Sequence, residues 1–161
     1  MKKLFIIFTI LVSSFTQAQQ EIKLDILDIL VVKTLEISYE NYLNNDSSVG
    51  VSILFNFGKK RDGIRYLEDK MITPYFRHYF SSNLKWNYFG EAFLGLNFGE
   101  KKIHQTNKSY TDAALGVAVG IKYISKDALT IDFHIGVGRN LFSSFSPVLV
   151  PRIGANIGYR F

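Results

Sequence analysis

Residues Ala113 to Tyr123 alternate without a break. Ala113, Leu115, Val117, Val119, Ile121 and Tyr123 share one parity, and Ala114, Gly116, Ala118, Gly120 and Lys122 share the other. A period of two is the repeat of an extended strand, whose side chains point to opposite faces, and a helix cannot sort these residues. The next run has the same form: Leu129, Ile131, Phe133, Ile135 and Val137 oppose Thr130, Asp132, His134, Gly136 and Gly138. So has the last, where Pro151, Ile153, Ala155, Ile157, Tyr159 and Phe161 oppose Arg152, Gly154, Asn156, Gly158 and Arg160.

Five earlier runs repeat the pattern. Leu35, Ile37 and Tyr39 oppose Glu36, Ser38 and Glu40, and Val49 to Phe57 oppose Gly50, Ser52, Leu54 and Asn56. Ile72, Pro74, Phe76, His78 and Phe80 oppose Thr73, Tyr75, Arg77 and Tyr79. Tyr88 to Phe98 oppose Phe89, Glu91, Phe93, Gly95 and Asn97, and the weakest run sets Ile22, Leu24 and Ile26 against Lys23 and Asp25. That makes eight strands, enough to close a small barrel. Short connections at 44–47, 81–85 and 125–127 alternate with long polar ones at 58–70, 99–111 and 139–147. The first connection, around Ile29 to Lys33, is the short exception on the long-loop side.

The start of the chain is different in kind. Lys2 and Lys3 precede an apolar run from Leu4 to Val12, and Thr16-Gln17-Ala18 supplies a small-x-small cleavage pattern. Residues 1–18 read as a secretory signal peptide cut after Ala18, too short for a comfortable membrane-spanning anchor. Residues 19–161 then form one barrel domain. No cysteine is present, so disulfides, thiol chemistry and a lipidated cysteine are excluded. The formal charge of +5 includes the two signal lysines. A surplus of about three scattered over the mature chain does not suit nucleic acid.

Size decides which face points inward. The interior of eight strands is only wide enough to be filled by side chains. Gly, Ala and Asn on the last three strands leave room for Tyr75, Arg77, Tyr79, Glu91 and Phe93 from strands four and five. The bulky apolar parity therefore faces out, as in a membrane barrel and opposite to a soluble one. The inner face carries Lys23, Arg77, Lys122, Arg152 and Arg160 against Asp25, Glu36, Glu40, Glu91 and Asp132, with His134 beside them. Five charges of each sign suit a closed, salt-bridged lumen, because buried charges need partners. Aromatics gather at two heights, as interfacial girdles do. Tyr39, Phe80, Trp86, Tyr88, Tyr123, Tyr159 and Phe161 lie near the short-turn rim, and Phe55, Phe57 and Phe98 near the other.

The stretches "IKLDIL", "LEISYENYL" and "TPYFRHYF", the last with Pro74, Arg77 and Tyr79, resemble small barrels of the outer membrane of Bacteroidetes-type bacteria, the family of domain of unknown function 3575. The resemblance spans nearly all of the mature chain and implies a membrane barrel with no assigned activity. It also implies that an acidic residue often stands where this chain has Tyr75, so the partner of Arg77 must come from another strand, with Glu91 nearest. The ending with Ile157, Tyr159 and Phe161 resembles the C-terminal signal read by the barrel assembly machinery.

Enzyme chemistry has two thin candidates. Asp132 and His134 form an Asp-x-His pair at mid-strand, where a lumenal hydrogen-bonded pair is the plainer reading. His104 and Ser109 lie in a long loop, a poor place to hold catalytic geometry. Three scattered histidines and no cysteine supply no metal cluster, and the strand glycines make no phosphate loop, so neither cofactor nor metal is expected. The expected protein is an all-β, eight-stranded antiparallel transmembrane β-barrel, an up-and-down meander in a bacterial outer membrane with both termini periplasmic. Its role is structural or interactive, with outer-membrane lipid and lipopolysaccharide around it. A narrow pore is the alternative, ahead of a soluble ligand-binding barrel or a hydrolase. The basic loop "GKKRDGIRYLEDK" could touch lipopolysaccharide phosphates, but its basic surplus is small and a solvated loop is the plainer reading. Phe142 and Phe145 either dock a partner or tuck over the mouth.

Overall fold

A computed structural model describes residues 19–57, 68–81, 85–103, 106–125, 128–142 and 146–161. Eight antiparallel strands follow one another around a closed barrel. They are β1 (Gln20–Asp25), β2 (Thr34–Tyr42), β3 (Ser47–Asn56), β4 (Glu68–Tyr79), β5 (Trp86–Ile103), β6 (Thr106–Ile124), β7 (Leu129–Asn140) and β8 (Leu149–Arg160). Closure comes from β1 on β8, with Glu21 opposite Arg160, Lys23 opposite Gly158 and Asp25 opposite Asn156. Gln20 and Phe161 exchange both backbone hydrogen bonds, at 3.0 and 2.8 Å. The proposed leader, residues 1–18, and most of the 58–70 loop lie outside the described residues.

The parity read from the sequence is the parity of the barrel. Val117, Val119 and Ile135 are each more than 60% exposed, while Phe89 and Phe93 on the other face are almost fully buried. Inside, Gly116 and Gly120 lie under the rings of Phe93 and Phe89, where an added Cβ would collide with the ring and with the β7 backbone. Small residues on one wall thus accommodate large ones from the other, which is how so narrow a lumen is packed. The hairpin turn from β2 to β3 has a local cause: Asn44 Oδ1 accepts the Asp46 N–H at 2.9 Å, an Asx turn.

Two connections differ from the sequence expectation. Between β1 and β2 the chain leaves the strand at Ile26 and forms a π-helix, Asp28–Val32, closed by Lys33 in the left-handed region. A helical turn here has no period long enough to detect. The stretch 99–111 is not a long loop. β5 and β6 stay paired from Gly99 opposite Tyr110 to Ile103 opposite Thr106, so the hairpin rises past its neighbours as a two-stranded ribbon. A strand needs about 9–11 residues to cross hydrocarbon, and β5 and β6 have 18 and 19. The excess continues as a two-stranded ribbon beyond the last residues that pair with β4 and β7.

The glycine packing yields a paired expectation. Gly120→Val places a branched side chain against Phe89 and should lower the unfolding free energy by about 1–3 kcal/mol. Gly90 faces outward, its nearest neighbour for a Cβ being the Phe80 ring at 3.3 Å, and Gly90→Ala should stay within about 0.5 kcal/mol. Urea unfolding of the refolded protein in micelles distinguishes the two.

Candidate functional site: the lumenal charge ladder

The interior is layered along the barrel axis. Towards the loop end Leu54, Met71, Ala114 and Val150 form an apolar layer. Towards the turn end Tyr42, Tyr79 and Phe89 pack together, with the two tyrosine rings stacked at 5.8 Å. Between them runs a ladder of ions contributed by seven strands. Arg152 Nη1 is 3.3 Å from Glu36 and its Nε 2.5 Å from Glu91 Oε1. Glu91 Oε2 accepts from Arg77 Nε at 2.6 Å. Arg77 Nη1 reaches Asp132 at 3.1 Å and Glu40 at 3.3 Å. Lys23 then bridges Glu40 at 2.5 Å and Asp132 at 3.3 Å. Lys122 joins Glu40 at 3.1 Å to Glu21 at 3.0 Å.

Glu40 is the hub. Besides three cations, its carboxylate accepts from Ser48 Oγ and Tyr79 Oη, each at 2.6 Å. Arg77 lies between rings, 4.9 Å from the Tyr75 centroid and 4.2 Å from that of Phe89. The partner of Arg77 therefore comes from β5, and Tyr75 offers a ring face in place of a carboxylate. Polar neighbours complete the cluster. Thr130 donates to Glu21 at 2.6 Å, and Tyr42 Oη is 2.8 Å from both Glu21 and Lys122. Such density of charge is tolerable only because nearly every lone pair is answered; a half-satisfied network would cost more than an apolar core.

The ladder and the sequence-derived set differ at three residues. Asp25 takes part in no ion pair of the ladder; it accepts the backbone N–H groups of Asp28 at 3.0 Å and Ala155 at 3.4 Å, tying β1 to the π-helix and to β8. Arg160 stands half-buried at the turn-side rim, its guanidinium 4.2 Å from the Tyr42 centroid. It joins no ion pair among the described residues, and its Nε is buried without a hydrogen-bond partner there. Glu21 was not singled out in the sequence, although its parity with Lys23 and Asp25 places it inward.

Asp132 and His134 are a lumenal pair, Oδ1 to Nδ1 3.4 Å. Asn156 donates to Asp132 Oδ1 at 2.9 Å, while Oδ2 is held by Lys23 and Arg77. The His134 Nδ1 also lies 3.4 Å from Asn156 Nδ2, so the pair sits inside the lumenal network. His104 lies outside the described residues, and Ser109 is exposed on β6.

A latch at the loop end was not legible. Asp112, buried on the inward face of β6, accepts the Phe142 N–H at 2.9 Å through Oδ1 and the Ser146 hydroxyl through Oδ2. Asn140 donates to the Pro147 carbonyl at 2.7 Å and accepts from Asn97 at 2.6 Å. The β7–β8 connection is thereby tied across β5 and β6, leaving Phe142 79% exposed instead of tucked over the mouth. Phe145 lies outside the described residues.

On the outer surface Trp86 and Tyr123 pair at 4.9 Å, and Tyr159 stacks on Phe161 at 6.5 Å. Tyr88 is exposed on the same rim. Phe55 and Phe98 flank Lys70 across neighbouring strands at the opposite end.

A model of the family described as "Protein of unknown function (DUF3575)" matches residues 4–145. No curated protein matches the chain. Among solved structures, the N-terminal β-barrel domain of Pseudomonas aeruginosa OprF is similar with a TM-score of 0.68 at 11% identity, covering 90% of this chain and 100% of that one. Neisserial surface protein A (NspA) gives 0.54 at 15% identity, covering 89% and 96%. Ail, the attachment invasion locus protein of Yersinia pestis, gives 0.52 at 15% identity, covering 91% and 100%. At these identities the likeness is one of fold.

Removing the hub should be costly. Glu40→Gln leaves three buried cations short of an anion and should lower the unfolding free energy by about 3–5 kcal/mol. Tyr79→Phe removes one hydrogen bond to the same carboxylate and should cost about 1.5–3 kcal/mol. Equilibrium unfolding in micelles measures both. Asp112→Ala should speed amide exchange at Phe142 while leaving β7 protected.

Proposed function

This chain belongs to that DUF3575 family, and on that footing we propose that it is a bacterial outer-membrane barrel with a structural or interaction role and a closed lumen. The observation that carries the reading is the continuous ladder from Glu36 to Glu21 lying beneath an apolar layer. Ions held in direct contact with one another offer no hydrated track, and Leu54, Met71 and Val150 give water no partner above them. An outward belt of Val, Ile, Leu and Phe bounded by aromatics supports residence in lipid. The structurally similar Yersinia pestis Ail is described as an outer membrane protein.

In this reading the leader is removed after Ala18, and the turn end with both termini faces the periplasm. Phe161 and Tyr159 serve the assembly machinery. Outer-leaflet lipid and lipopolysaccharide surround the barrel, and the latched β7–β8 connection and the β5–β6 ribbon face outward as the parts available to a partner. No enzyme activity is assigned, since Asp132 and His134 are committed to the ladder.

Single-channel recording in a planar bilayer tests this. The refolded protein, shown to be a barrel by different gel migration before and after boiling, should give no conductance steps. Reproducible steps altered by Arg77→Ala or Glu91→Ala would replace the reading with a narrow pore. The mass of the protein recovered from outer membranes should correspond to a chain beginning at Gln19.

A further inference from the structure

At the loop end the outward face of β2 to β5 departs from the plain apolar belt. Lys70 on β4 stands directly across from Phe55 on β3 and Phe98 on β5, and all three are exposed. Cross-strand neighbours have Cβ atoms about 5 Å apart, so an aromatic ring flanks the lysine on each side. One rung nearer the loops, exposed Lys33 sits beside Phe57, whose N–H donates to the Lys33 carbonyl at 3.2 Å. Phe57 is 75% exposed. Lys33 is fixed in place by its left-handed conformation and by its N–H bond to the Asp28 carbonyl. The inward cations Lys23, Arg77, Lys122 and Arg152 are all matched to carboxylates, whereas neither of these outward lysines joins an ion pair among the described residues.

We infer that Lys33, Lys70, Phe55, Phe57 and Phe98 form a binding site for a phosphorylated glycolipid of the surrounding outer leaflet, an inference that rests on the outer-membrane reading above. Each feature points to a part of that ligand. The lysines lie at the upper edge of a belt that continues below Lys70 as Ile72, Pro74 and Phe76, where long basic side chains extend towards a charged interface. β2 and β4 are two strands apart and Lys33 lies two residues nearer the loops than Lys70, so the two lysine backbones stand roughly 12 Å apart by strand spacing, a gap that their flexible side chains can adjust. That separation suits a disaccharide headgroup phosphorylated at both ends better than a single phosphodiester. Exposed phenylalanine faces cover sugar rings and the first methylenes of acyl chains. Arg139 provides a contrast: it is an exposed cation on β7, but Leu115 and Leu149 stand opposite it and no aromatic does.

The test is native mass spectrometry of the barrel in micelles with three probes: a bisphosphorylated disaccharide lipid, the same lipid with its phosphates removed, and a single-phosphate phospholipid. Wild type and Arg139→Gln should retain the bisphosphorylated lipid alike. Lys33→Gln/Lys70→Gln, with unchanged heat-dependent gel migration, should retain roughly 10- to 30-fold less, from the usual contribution of a basic residue near anionic lipid. Lys70→Arg should keep most of the binding. Equal retention by the double variant, equal retention of the dephosphorylated lipid or the phospholipid, or an equal loss in Arg139→Gln would each overturn the site. A chain that never inserts, with no heat-dependent migration, would instead overturn the outer-membrane reading and this inference with it.

Discussion

An eight-stranded barrel has no room for bulk water, and everything inside this one follows from that exclusion. Once water is absent, a cation can remain charged only if carboxylates surround it. Arg77 satisfies this with Glu91, Asp132 and Glu40, each from a different strand. The ladder therefore does what a hydrophobic core does elsewhere, cross-linking opposite walls, but with directional bonds. Registers of β1, β2, β4, β5, β6, β7 and β8 must all be correct before the charges meet. A slip of one residue in any of them would put a charge on the outer, apolar face.

The outside obeys the opposite rule. There the side chains meet no fixed partner, and bulk and polarity alone matter. Val117, Val119 and Ile135 are exposed to a degree that would be a liability on a soluble protein. The same strands carry glycine inward, at positions 116, 120 and 136, where Phe89, Phe93 and Ala118 crowd the backbone. Outward bulk and lumen-facing economy are two sides of one strand.

This division explains how much was legible in the chain. Strand existence, parity and the inward set on β2 to β7 follow from alternation, because each face has its own solvent. The partner of Arg77 followed from topology, since β4 and β5 are adjacent and Glu91 is opposite Arg77. Legibility ended where alternation lost its cause. The ribbon continues beyond its neighbouring strands, and its residues from Gly99 to Thr111 are polar and do not alternate, so they resemble a loop in composition. The π-helix occupies one turn, too short for a period. The Asp112 latch joins residues remote in sequence, a backbone N–H and one serine hydroxyl, which leave no periodic mark on the side-chain pattern. Arg160 follows the inward parity, yet at the strand end it meets the Tyr42 ring instead of a carboxylate.

The pairing of Gln20 with Phe161 also bears on time. The first strand to leave a ribosome has β2 on one side and must wait for the last strand on the other. Until then β1 keeps a free edge and the ladder is short of Lys23's cross-wall contact to Asp132. Neighbouring hairpins can form early because their strands adjoin in sequence, but sealing requires contacts between the most distant strands, the slowest kind to make. Such a chain stays open until β1 and β8 meet, and the pairing of Gln20 with Phe161 ends the exposure of both edges.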